Sequence, residues 1–297
     1  MEVVRALGVL AEPPASASAA VAAALGLPTP SPDDYTDAFL FQLYPYASVY
    51  LGSEGMIGGE AGDRVAGFWR ALRLTPPAEP DHLAALLGLY ASLGDQEALL
   101  PDGSARRLLV REARKALLWE HLLSWLPPYL DHMERVAPRS YRKWAALLQE
   151  VLVAEAAELG PPVLAPQHLL LAPSLPDPRL SGADEFLKGI LAPVRAGFIL
   201  VRADLARAAR ELGVGLRLAE RAYTLRSLFG QDQVGTLAWL SAEAATAVAG
   251  IRPIDQRLAP VAGLWRDRAA AAAALLNDLN TAAKEATHGN CRAPDPT

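Results

Sequence analysis

At 297 residues, 52% of them hydrophobic, the chain can bury a substantial core as one large domain or two modest ones. A formal charge of -5 argues against a general nucleic-acid binder, which needs a basic face, and suits a cationic peptide better. The single cysteine, Cys291, excludes an internal disulfide and any multi-thiolate metal site, and the cytoplasm is the expected compartment; no metal site and no cofactor are expected.

The N-terminus pairs Arg5 with the apolar stretch Ala6 to Ala11. Glu2 and Glu12 bracket it, and it is too short for the apolar region of a secretion leader. No apolar run approaches the ~20 residues of a membrane span; Ala269 to Leu276 is among the longest. In FLFQLYPYASVYLG, Tyr44, Tyr46 and Tyr50 crowd around Pro45. The following GSEGMIGGE, Gly52 to Glu60, lacks the Lys-Ser/Thr ending and the preceding strand of a phosphate loop, and reads as a flexible turn. After Asp81, the residues Leu83, Leu86, Leu87, Tyr90 and Leu93 fall on one face of a helix that Gly94 can end. Asp81 is the expected N-cap, with Pro80 setting the approach and His82 a partly exposed residue of the first turn. A second helix should run from Leu108 to Leu126, where Pro127-Pro128 stops it. A third starts near Pro138 and carries Tyr141, Trp144, Leu148, Val151 and Leu152. Sustained alternation of period two is missing, so the fold class expected is all-α.

Gly160 to Pro178 contains six prolines and cannot be one continuous helix. It reads as a linker pinned by Leu169, Leu170 and Leu171 between a helical half, 1–159, and a second, 179–288. Ser181 and Asp184 have the spacing of a capping box. Gly213, Gly230 and Gly250 are expected helix stops, and Ala269 to Ala274 marks a last long helix. Residues 289–297 should form a disordered tail.

Enzyme chemistry finds no foothold. Glu120-His121 has no second histidine four residues away, so the zinc-protease pattern is absent, and there is no G-x-S-x-G elbow. The aromatic residues beside EPDHL and in WEHLLSWLPPYL admit two readings, core packing or the lining of a groove.

In order, LYPYASVYLG, the FWRAL helix, Glu79-Pro80-Asp81-His82 and His121-Leu122 with Trp125 resemble the TorD/DmsD-type cytoplasmic chaperones that mature molybdenum-containing redox enzymes. The resemblance covers roughly residues 34–159 and implies a TorD-like helix bundle, here with a helical C-terminal extension. It also implies a non-enzymatic protein that binds the apo-molybdoenzyme catalytic subunit and its twin-arginine signal peptide before cofactor insertion and export. The residues expected to bind the peptide are Tyr44, Pro45, Tyr46, Tyr50, Trp69, Glu79, Pro80, Asp81, His82, Glu120, His121 and Trp125. Acids beside an apolar groove suit paired guanidinium groups followed by an apolar stretch. A helical adaptor for another protein segment is the alternative.

The second half is rich in arginine. Arg207 and Arg210 are three apart and Arg217 and Arg221 four apart, so each pair can share a helix face. A solvated face laced with ion pairs is one reading. The other is an anion site for a nucleotide or the phosphate of the molybdopterin cofactor.

Overall fold

The computed structural model describes residues 1–216, 219–251 and 257–290, and all regular elements among the described residues are helices, with no strand. The only strand-like pairing among them is one isolated bridge between Tyr46 and His82. Two apolar cores form. The first gathers the helices Leu83–Leu99, Leu126–Val136 and Arg139–Leu159 around Trp119, Trp125, Trp144 and Trp265, none more than 1% exposed. The second holds Phe186, Ile190, Phe198, Leu205, Leu228 and Leu240. The last helix, Ala259–Asn290, serves both, giving Trp265 to the first core and Ala269, Ala272 and Leu276 to the second.

Several helix ends differ from expectation, each for a local reason. Gly94 does not end its helix, which runs on to Leu99; a Cβ there would collide with the Met1 side chain, so glycine makes room for the N-terminal helix Glu2–Val9. Pro127 and Pro128 start a helix rather than stop one. They sit in the first turn of Leu126–Val136, where the missing amide N–H has no intrahelical partner to lose. The helix expected to reach them ends as Ala105–Ala116 and continues as a wider π-helical turn, Leu117–Leu122, closed by the Leu123 amide donating to the Leu118 carbonyl at 2.7 Å. Ser181 ends the short helix Pro178–Ser181, its hydroxyl turned back onto the Asp177 carbonyl, and Gly182 opens the next helix instead. Gly230 and Gly250 lie inside helices that end at Gln231 and Ile251, whereas Gly213 is a left-handed stop.

The proline-rich segment is held at several points. The Trp119 indole donates to the Gly160 carbonyl at 3.0 Å, and a short helix, Gln167–Leu171, buries Leu169 while Leu170 and Leu171 stay exposed. Arg268 of the last helix donates to the carbonyls of Leu169, Ala172, Pro173 and Val194, which fixes the segment against both cores. Helix Gln233–Ile251 is long and apolar enough to cross a membrane by length and composition. Half of it is buried, and its Glu243 pairs with Arg207, as suits a core helix. The last helix continues to Asn290, and residues 291–297 lie outside the described residues.

Candidate functional site

EPDHL runs beside YPYAS. The Leu83 amide donates to the Pro45 carbonyl at 2.8 Å and the Ala47 amide to the Asp81 carbonyl at 3.1 Å. This pairing decides which helix each polar side chain caps. Asp81 does not cap the helix that follows it. Its Oδ2 accepts the Ser48 amide at 2.9 Å, in the first turn of helix Ala47–Leu51. The cap of helix Leu83–Leu99 is His82, whose Nδ1 accepts the Ala84 amide at 3.2 Å, which places its ring proton on Nε2. Burial holds His82 below its ordinary range, against the pull of Glu12, Glu79 and Asp81. Both side chains are buried, so the sequence expectation that His82 is a partly exposed first-turn residue is corrected.

The motif aromatics satisfy backbone carbonyls. Tyr50 donates to the Tyr44 carbonyl at 2.9 Å, Tyr129 to the Leu43 carbonyl at 3.2 Å, and Trp69 to the Pro80 carbonyl at 3.2 Å. The four-residue step in His121-Leu-Leu-Ser-Trp125 puts the Trp125 indole 2.9 Å from the His121 carbonyl, at the π-helical turn whose regular bonding is interrupted. Tyr50 stacks on Trp125 with ring centroids 5.1 Å apart, and both are buried. Of the two readings, Tyr50 and Trp125 therefore take core packing and do not line a groove. Trp125→Phe is expected to cost about 2–4 kcal/mol, because it leaves a cavity and an unpaired buried carbonyl; urea unfolding measures it.

A cleft of about 420 Å³ opens between helix Gly59–Ala71 and the segment 76–81. Tyr46, Glu79, Pro80 and Asp81 line it, joined by Asp63 and Arg70, which the sequence reading did not single out. Asp63 and Glu79 are exposed. The Tyr46 hydroxyl is pushed up by burial and by its hydrogen bond to Glu79. Ile57, Gly58 and Gly59 belong both to this cleft and to a second of about 610 Å³, whose far wall is His168, Leu171, Ala172 and Pro173 of the proline-rich segment. The glycine-rich turn is therefore the ridge between two clefts.

Glu120 and His121 lie apart from the acidic cleft. They sit with Arg64 and His168 beneath the second one: His168 Nδ1 is 3.6 Å from Glu120 Oε2, and His121 packs on Phe68 with centroids 4.7 Å apart. Burial, then the Arg64 charge, holds His121 down to about 4. Burial, Arg64 and His121 hold His168 down to about 3. Burial raises Glu120 against the opposing charge of Arg64. Arg64 and His168 carried no sequence signal, being far apart in the chain and joined only by the fold.

The arginine-rich helices resolve into separate engagements. Arg207 is held by Glu243 at 2.9 Å, Asp204 at 3.2 Å and Glu211 at 3.6 Å. Arg221 donates to the Leu200 carbonyl at 2.8 Å and is half-buried, and that burial lowers it. Arg210 is exposed, and Arg217 lies outside the described residues. The Arg207 geometry is that of an internally paired face. Among the described residues there is no cluster suited to a metal ion.

No curated protein and no solved structure matches the chain. Residues 29–131 match the family described as nitrate reductase delta subunit, a span that takes in YPYAS, the Gly58–Gly59 ridge, EPDHL and the π-helical turn with Trp125. That match supports the redox-enzyme maturation chaperone family of NarJ/TorD type.

Proposed function

We propose that the protein binds the twin-arginine signal segment of an apo-molybdoenzyme in the cytoplasm, in the acidic cleft between helix Gly59–Ala71 and EPDHL. The family match implies a chaperone role in molybdoenzyme maturation. One observation supports this finer reading. Two exposed carboxylates, Asp63 and Glu79, share a concave surface with the apolar Ile57, Ala66 and Pro76, so guanidinium groups and an apolar chain can be met side by side. Asp81 holds the wall: its Oδ2 is committed to Ser48, and Oδ1 lies 4.0 Å from where a Cβ on Gly62 would stand.

The test is fluorescence anisotropy with a labelled peptide carrying paired arginines before an apolar stretch. Asp63→Asn with Glu79→Gln is expected to weaken binding about tenfold at low salt and less at high salt, since both acids are exposed. Gly62→Leu fills the cleft without altering its charge and should weaken binding at every salt concentration. Equal affinity for a peptide lacking the arginines would instead favour a general helical adaptor.

A further inference from the structure

We propose that the second cleft takes a carboxylate of the bound client segment, held between Arg64 and His168 beyond the apolar stretch that covers Met56, Ile57 and Leu171. The proposal rests on the reading of the acidic cleft as the client site and extends it across the Ile57–Gly59 ridge that the two clefts share.

The argument begins with two nitrogen atoms. Arg64 Nη2 and His168 Nε2 are buried and have no hydrogen-bond partner among the described residues. Buried polar groups are nearly always paired, and a guanidinium is the group for which lack of a partner is least tolerable. Both residues line the same cleft, and the His168 side chain is only 9% exposed. They come from opposite walls, Arg64 from helix Gly59–Ala71 and His168 from the short helix Gln167–Leu171, so one ligand oxygen pair entering between them meets both, provided the His168 ring proton sits on Nε2, which the 3.6 Å gap between Nδ1 and Glu120 leaves free. Helix Gly59–Ala71 also opens onto this cleft through Gly58, Gly59 and Glu60 with no side-chain cap, and unpaired first-turn amides favour negative charge.

The surrounding acids narrow the ligand. Glu54 and Glu60 line the cleft but are exposed to water, and Glu120 lies 3.6 Å from the other ring nitrogen of His168. They disfavour a highly charged phosphate and leave room for a single carboxylate. Exposed Met56, Ile57 and Leu171 supply the apolar contacts between this point and the acidic cleft. The groove so formed is complementary to a segment with a basic group at one end, apolar residues in the middle and an acid at the other.

Four synthetic peptides test this on the full chain by calorimetry: an apolar segment ending in Glu or in Gln, each with and without paired arginines ahead of it. Wild type should bind each Glu peptide about tenfold tighter than its Gln twin, the scale of a hydrogen bond to a charged group. Arg64→Met and His168→Phe should abolish that preference, whereas His168→Gln, which keeps an N–H near the place of Nε2, should retain part of it. Arg64→Met should leave the melting temperature unchanged or raised, because it removes an unpaired cation. Equal binding of Glu and Gln peptides by wild type, or a preference that survives in Arg64→Met, overturns the proposal. A Glu preference that persists while the arginines contribute nothing would sink the acidic-cleft reading and leave this one standing.

Discussion

Asp204→Ala is expected to lower stability by about 2–5 kcal/mol, because it leaves buried donors without their acceptor. Asp204 is 2% exposed and joins the two cores. Its Oδ2 accepts His132 Nε2–H at 2.8 Å, from a helix of the first core, and the Val201 amide at 2.9 Å. Its Oδ1 accepts Arg207 at 3.2 Å. Arg135 donates to His132 Nδ1 at 2.9 Å; an arginine has only protons to give, so the ring proton must sit on Nε2 and point at Asp204. Burial would raise the Asp204 carboxyl, but the hydrogen bond from His132, with those from Val201 and Arg207, holds it below the usual range. Alanine strands two donors at once, His132 Nε2–H and the Val201 amide, while Arg207 keeps Glu243. Because the network bridges the cores, urea unfolding of the variant should lose coincidence between probes of the two halves. A single transition shifted by less than about 1 kcal/mol would show the bridge to be dispensable. Asp204→Asn keeps an acceptor for His132 and Val201 and should cost less.

How much of this was legible depends on whether the signal was local. Leu83, Leu86, Leu87 and Tyr90, and Tyr141, Trp144 and Leu148, declared their helices through periodicity, and all are buried. The all-α class followed from the same regularity and holds among the described residues. Signals that depend on a distant partner were misread. Gly94 and Pro127-Pro128 look like stops in isolation, yet one makes room for Met1 and the others begin a helix. At the site, the acids and aromatics of EPDHL, YPYAS and EHLLSW could be recognised as a set, but their division of labour could not. Asp81 caps a helix that precedes it by more than thirty residues in the chain, and Tyr50 and Trp125 cap carbonyls at irregular turns that no periodicity reveals. Asp63, Arg64 and His168 were missed because single charged or imidazole residues are common in solvated positions, and only the fold places them in clefts.

The proline-rich wall of the second cleft should loosen in acid. His121 and His168 are held at about 4 and about 3, below the ordinary 6.5, so the fold favours their neutral forms. A depressed histidine contributes stability that is fully present above 6.5 and is lost as pH falls toward the folded value, because the unfolded chain takes up the proton first. Each imidazole therefore removes about 1.4 kcal/mol per pH unit across that window, or about 3 kcal/mol for His121 between 6.5 and 4.5. Glu120, pushed up by burial, works the other way and offsets part of this. The depressed carboxyls of Asp204, Asp177 and Glu185 begin to lose their share only below the ordinary carboxylate range, so the upper window belongs to the histidines. Urea unfolding at pH 7, 5.5 and 4.5 should show a steep fall in wild type and a shallower one in His121→Phe. The same series followed by limited proteolysis should open the segment 160–173 before either core, since His168 is the part of its short helix that meets Arg64 and Glu120 while Arg268 grips only its carbonyls. A pH profile unchanged by His121→Phe would mean that the buried imidazoles are protonated at little cost, and that the cleft wall is held by Arg268 and Leu169 alone.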